Sequence, residues 1–217
     1  MSTRAPARRS LMRRMRPRRW HDRGAVAVEA ALIVPLILLP LIFGTIEFTL
    51  LLRDYVAASS MVRAGARIAS AEPHAGQDPL LPAVPIFAND AMLTIQREGS
   101  AMPKDNIKEL WVYKANSGGF PDSRTDFSGC TNSCVRFKWD PVANKFNYIP
   151  LSGSWVASSV NACAGKNSSG VEQGDYVGVY LKANHKALIG IFGQGWAVSD
   201  YAVMKFEPVP GRSCLPS

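Results

Sequence analysis

Two acidic residues, Glu29 and Glu47, lie inside a long apolar stretch of the sequence. They are the only ionisable side chains between Ala25 and Leu52. A carboxylate in an apolar phase is costly unless it is neutral or paired with a cation. The two positions therefore indicate sites that need either a cationic partner or access to water.

Glu29 follows Gly24 by five residues. A cut after Gly24 would create a free α-amino group, and the amine of an adjacent subunit could then pair with Glu29. The alternative is that Glu29 lies at the level of the lipid headgroups, a turn and a half into the helix. Glu47, near the other end of the stretch, could be solvated at the second interface or could serve assembly, and the sequence leaves both alternatives open.

All four cysteines of the chain lie C-terminal to the apolar stretch: Cys130, Cys134, Cys163 and Cys214. An even number on one side of a membrane is typical of two disulfides in an oxidising compartment. Three pairings are possible, and the sequence does not choose among them. A zinc site is the less favoured alternative, because the C-x3-C spacing of Cys130 and Cys134 has no histidine close to it.

The sequence lacks the usual signatures of catalysis. His21, His74 and His185 are scattered, and there is no metalloprotease, phosphate-binding, nucleophile-elbow or dinucleotide-binding motif. We therefore expect neither enzymatic activity nor a cofactor or metal. Four tryptophans of the C-terminal portion are expected in a sheet core rather than on a ligand-binding surface: Trp111, Trp139, Trp155 and Trp196.

The apolar stretch itself predicts a transmembrane helix over residues 25–52. A helix of this length would reach roughly 42 Å, and about 20 residues suffice to cross the hydrocarbon. Pro35 and Pro40 each remove a backbone donor, so we expect a bent helix. We expect the helix to continue outside the membrane over residues 53–70.

The net charge of +8 is confined to the N-terminus. Residues 1–23 hold nine arginines and one aspartate, which leaves sixteen basic and sixteen acidic residues in the remainder. The arginines before the span, Arg18, Arg19 and Arg23 among them, outnumber the single Arg53 just after it. This asymmetry predicts a cytoplasmic N-terminus and an extracytoplasmic C-terminal portion. Because an apolar span follows at once, we expect no nucleic-acid partner.

The C-terminal portion predicts an α+β fold with an antiparallel β-sheet. Prolines mark residues 71–85 as a linker. Residues 86–217 are then the predicted extracytoplasmic domain. A short helix follows Pro85, with Ile86, Phe87, Met92, Leu93 and Ile95 on its buried face. Strands are expected at residues 107–115, 134–140, 145–155, 175–183 and 196–206, with a short helical piece at 186–192.

The N-terminal residues carry a resemblance to a known family. The string RRWHDRGAVAVEAALIVPLILLPLIFGTIEFTLLLRDYVAASSMVRAGAR resembles the N-terminal region of TadE-like proteins, minor pseudopilins of the tight-adherence (Tad/Flp) pilus system. The matching elements are the basic approach, Gly24 followed by A-V-A-V-E, F-G-x-x-E at Phe43 to Glu47, and the pair Ala66 and Arg67. The resemblance covers roughly residues 18–70, and the segment beyond matches only weakly.

The resemblance implies that residues 1–24 are a prepilin-type leader. A membrane prepilin peptidase would cut between Gly24 and Ala25, and Glu29 would become the fifth residue of the mature chain, pairing with a neighbour's amine during assembly. It also implies a pilin-like outer domain, and Glu47 is a second candidate assembly residue. The implied partners are other pilin and pseudopilin subunits, the Tad inner-membrane assembly platform and the lipid bilayer. The competing hypothesis is an uncleaved single-pass membrane protein whose disulfide-bonded domain binds a ligand of the cell wall or surface.

Overall fold

The computed structural model describes residues 22–98, 101–150, 152–165, 170, 174–188, 193 and 195–208, with the side chains of residues 22 and 23 excluded. Most of the predicted leader, including Arg18 and Arg19, and also Cys214 lie outside the described residues. The chain forms two compact units, Met1–Gly44 and Thr45–Ser217.

The described part of the first unit, residues 22–44, is helical. Helix α1 spans Asp22–Ile33, a π-helical segment spans Val34–Leu38, and helix α2 begins at Leu39. Pro35 lies in the first turn of the π-helical segment, where its missing N–H changes the hydrogen-bond pattern. The structure thus shows a local change of helix type at this proline, and the predicted bend stays a prediction.

Helix α2 spans Leu39–Ala71 and carries the chain into the second unit. Its end agrees with the predicted continuation to about residue 70. Ala58, Val62 and Ala66 form a fully buried stripe toward the sheet. Tyr55 is 50% exposed, because Asp54, one residue earlier on the helix, occupies the buried face at that level.

Residues 72–85 contain no helix or strand, but they belong to the compact second unit, and Val84 is fully buried in its core. Helix α3, Ile86–Arg97, follows Pro85 directly. The fixed φ of proline suits the position before a first helical turn. Phe87, Met92 and Ile95 are buried as predicted, whereas Ile86 and Leu93 are half-buried. The buried face is completed by Ala88 and Ala91, whose small side chains allow α3 to approach α2.

Five strands form one antiparallel sheet in the order β3-β2-β1-β4-β5. Their bounds are Ile107–Ala115, Cys134–Asp140, Lys145–Tyr148, Tyr176–His185 and Trp196–Lys205 for β1 to β5. The predicted α+β class is confirmed. Strand β3 ends earlier than expected, before Pro150, which cannot donate to a ladder. The predicted helix at 186–192 is absent over Lys186–Leu188, and residues 189–192 lie outside the described residues.

The sheet is covered on both faces. One face packs against α2 and α3 through a core that includes Val112, Phe137 and Leu181. The opposite face carries Trp111, Tyr113 and Tyr180 beneath the loop of residues 116–133. Trp111, Trp139 and Trp155 are buried as predicted, but Trp196 is 37% exposed.

Candidate functional site

The predicted cleavage and docking residues lie on the surface of α1. Gly24 and Glu29 are exposed, and a Cβ atom added at Gly24 would meet nothing within 4 Å. Among the residues that the structure describes, no basic side chain forms an ion pair with Glu29. The carboxylate is therefore available to a group outside the described chain.

Apolar side chains cover the N-terminal helix on all sides. The exposed ones include Val26, Val28, Leu32, Ile33, Leu36, Ile37, Leu41, Ile42 and Ile46. The helical stretch Gly24–Ala71 is long and apolar enough to cross a membrane. A helix that is apolar all round is typical of a membrane span rather than of a surface helix of a soluble domain.

Glu47 begins a buried cluster of charged groups in the second unit. The Nε2 atom of His185 lies 3.0 Å from Oε1 of Glu47, and its Nδ1 atom lies 2.8 Å from Oδ2 of Asp54. Arg53 places its Nη2 atom 3.1 Å from the other Asp54 oxygen. Glu47 and Asp54 are seven residues apart on α2, so both carboxylates lie on one helix face, toward the end of β4.

The geometry of the cluster favours the protonated form of His185. Both ring nitrogens face a carboxylate oxygen, and both can donate only when the imidazole is protonated. Burial alone lowers the pKa of His185, but the hydrogen bonds and charges of Asp54 and Glu47 outweigh it and raise the pKa above its ordinary value. With Arg53 included, the cluster has two negative and two positive charges, which compensates its burial.

The connection after β4 is held to the same carboxylate. The backbone N–H of Leu188 donates to both oxygens of Glu47, at 3.1 and 3.0 Å. Trp196, at the start of β5, stacks on His185 with 6.0 Å between ring centroids. Glu47 therefore fixes the start of the β4–β5 connection against α2.

Glu47 is only 2% exposed, so the alternative that it is solvated at the interface is wrong. Its role in assembly stays a prediction. Sequence reasoning missed His185 and Asp54, because the histidine is 138 residues from Glu47 in the chain. The available signal was the spacing of Glu47 and Asp54, which places two acids on one face of a predicted helix.

The opposite face of α2 is open. Phe48, Leu52 and Val56 are exposed on one stripe, and Arg63 and Arg67 continue it farther along the helix. A cavity of about 580 Å³ lies beside this stripe and is lined by Thr49, Leu52, Arg53, Val56, Ala57, Ser60, Glu98 and Ala101. The outward face thus changes from apolar to basic along α2.

The three cysteines that the structure describes lie at the other end of the sheet. Cys130 and Cys134 form a disulfide with 6.0 Å between their Cα atoms, so the zinc alternative is wrong for this pair. Cys163 is also disulfide-bonded. The Cys130–Cys134 bond closes the loop over Tyr180, against which Phe127 stacks at 4.1 Å.

Residues 24–67 match the family model described as TadE-like protein. The helical stretch formed by these residues is TadE-like. The match relates the chain to the Tad pilus system, and it leaves residues 68–217 outside the matched segment. No curated protein and no solved structure matches the chain.

The TadE-like segment contains the residues of both helix sites described above. Gly24 is its first residue, and Glu29, Glu47 and Asp54 lie within it. His185 and Leu188, which bind Glu47, lie outside it. The second acid of the TadE-like segment is therefore held by residues of the outer domain.

Proposed function

We propose that this chain is a minor pseudopilin of a Tad pilus, cut after Gly24 by a prepilin peptidase and assembled through its N-terminal helix. The observation that carries the proposal is the contrast between two acids of the TadE-like segment. Glu47 is buried and fully bonded within its own chain, whereas Glu29 is exposed on an apolar helix.

The exposed carboxylate of Glu29 supports docking on another subunit. A lone carboxylate in the hydrocarbon is costly, and a cation brought by a neighbour offsets that cost. The α-amino group of a mature neighbour, created by the cut after Gly24, has the required charge. Its position at a helix N-terminus explains why an acid near the start of the helix is the suitable partner.

The open stripe of α2 supports contact with further subunits. Phe48, Leu52 and Val56 present apolar surface, and the groove beside them is wide enough to receive side chains of a neighbouring helix. Other pilin and pseudopilin subunits and the Tad inner-membrane platform are the partners in this proposal. The chain acts as a structural component and not as an enzyme.

In the membrane, we place the N-terminus in the cytoplasm and the outer domain outside. The nine arginines of residues 1–23 favour this orientation by the positive-inside rule. The Cys130–Cys134 disulfide suits an oxidising compartment on the outer side.

Processing is tested by the mass and N-terminal sequence of the membrane-bound protein. We expect a mature chain that begins at Ala25, and we expect Gly24→Leu to remain at full length. An intact wild-type chain would instead support the uncleaved anchor with a ligand-binding outer domain.

Docking is tested by Glu29→Ala, with Val28→Ala as the matched control on the same exposed helix. We expect normal cleavage of both variants, and loss of incorporation into sheared pili only for Glu29→Ala. Normal piliation by Glu29→Ala would remove the docking role while leaving the processing result intact.

A further inference from the structure

Two connections of the sheet lie at one end. Strands β2 and β4 are both antiparallel to β1, so they run in the same direction and finish at the same end of the sheet. The turn after β2 carries Val142, which is 95% exposed, and the connection after β4 carries Leu188, which is 67% exposed. The chain re-enters the sheet beside them at Trp196, the first residue of β5. We refer to Val142, Leu188 and Trp196 as the apolar rim.

Helix α2 runs along the sheet with its earlier residues at the end of β4. Glu47 is bonded to His185 and to the N–H of Leu188 at this end. Ser70, more than six turns later, contacts Met204 and accepts the N–H of Glu207 at the far end of the sheet. Leu188 and Trp196 therefore lie at the level of Glu47 along α2.

That level coincides with the expected membrane boundary. From Ala25 to Ile46 a helix rises about 33 Å, which is close to the hydrocarbon thickness of about 30 Å. Exposed apolar side chains cover this stretch, and Glu47 is the first buried residue of α2. The chain thus leaves the hydrocarbon close to Glu47, the residue to which Leu188 is bonded.

We propose that the apolar rim inserts into the interfacial layer of the phospholipid bilayer that the N-terminal helix spans, so that the outer domain rests on the membrane. The inference depends on the proposed function only for the membrane span. Leu188 is bonded to Glu47, the residue at the expected membrane boundary. We therefore expect the rim to lie at the level of the headgroups and to contact lipid.

The chemistry of the rim suits this layer. Tryptophan is enriched at membrane interfaces, where its ring is apolar and its N–H remains hydrated. Lys145 and Lys186 are exposed at the same end, and basic residues attract anionic headgroups. Two acids at this end, Asp140 and Asp105, have internal partners. Asp140 accepts the backbone N–H groups of Val142 and Ala143, and Asp105 accepts the indole N–H of Trp139.

The test uses the full chain reconstituted in vesicles of phosphatidylethanolamine and phosphatidylglycerol at three to one, with bromine atoms on the upper acyl chain as fluorescence quenchers. The difference in quenching between wild type and Trp196→Phe reports on Trp196 alone, since the other tryptophans are present in both proteins. We expect this difference to be clear, and we expect Leu188→Glu to reduce it. Leu80→Glu is the control, because Leu80 is 87% exposed but follows the far end of α2.

The outcomes separate this proposal from the one it rests on. Flotation of the chain with vesicles, with Trp196 unquenched by bromine and accessible to aqueous iodide, would overturn the rim contact and leave the membrane span standing. Failure of the wild-type chain to float would overturn both. An equal effect of Leu80→Glu and Leu188→Glu would also count against the rim, since it would show a general effect of added charge.

Discussion

At the scale of single residues, His185 is the group on which the second unit's charge balance depends. It lies between two carboxylates of one helix, and its proton allows both ring nitrogens to donate. Without the proton, the imidazole can donate to only one of the two buried carboxylates, which keep their bonds from Arg53 and from the Leu188 N–H. The free energy of unfolding should therefore depend on the protonation of this ring.

We predict that this stabilisation is lost as pH rises. The pKa of His185 is raised in the folded chain, so the contribution is fully present below the unfolded value of about 6.5 and disappears as pH passes through the folded value. Urea unfolding of the detergent-solubilised chain, followed by tryptophan fluorescence between pH 5.5 and 8.5, measures it.

His185→Gln is the control for that titration, because glutamine keeps one donor but has no proton to lose in this range. The free-energy difference between wild type and His185→Gln should shrink as pH rises. A constant difference across the range would show that the imidazole is not protonated in the folded protein.

At the scale of elements, the helix–helix contact depends on a glycine. A Cβ atom at Gly65 would lie 2.7 Å from Cδ1 of Ile95 on α3. The contacted atom is the end of a flexible side chain, so a methyl group can be accommodated by a small shift. A larger side chain would have to separate α2 from α3.

We predict that Gly65→Ala is nearly neutral and that Gly65→Leu lowers the free energy of unfolding by about 1–3 kcal/mol. Helix propensity opposes the loss, since replacing glycine in a helix gains up to about 1 kcal/mol. Ser60→Leu, on the exposed face of α2, controls for leucine itself. If both leucine variants unfold at the same urea concentration, the close contact does not limit stability.

The loop of residues 116–133 gives a second prediction at this scale. Its Phe127 stacks on Tyr180, and its end is tied by the Cys130–Cys134 disulfide. Replacing both cysteines by serine should cost about 2 kcal/mol by the loop-closure relation. We expect faster tryptic cleavage after the exposed Arg124 in the variant; unchanged cleavage would show that ring stacking alone holds the loop.

The sequence predicted those elements whose signals are local. Alternation along residues 134–140 and helical spacing along residues 58–69 identify buried faces within one element. The cover formed by residues 116–133 has no such signal, because its composition is that of an ordinary polar loop. The partner of Glu47 was equally out of reach, since it depends on which strand end meets α2.

At the scale of the whole molecule, the outer half of α2 belongs to the core of the second unit. Ala58, Met61 and Val62 are fully buried in the same cluster as the sheet residues Val112 and Val177. The TadE-like segment therefore supplies both the apolar helix and one wall of the outer domain. Separating them at the end of α2 would expose one face of the sheet.

We predict that residues 45–217 fold without the apolar helix, whereas residues 72–217 do not. The first fragment keeps the compact second unit and needs only mild detergent for the exposed Phe48 and Leu52. The second loses α2, so the sheet face loses its cover and should bind a hydrophobic dye. Urea unfolding after oxidative expression distinguishes them: a cooperative transition is expected for the first fragment only. An equally cooperative transition in residues 72–217 would show that α2 is an accessory to the domain and that the sheet and α3 suffice as a core.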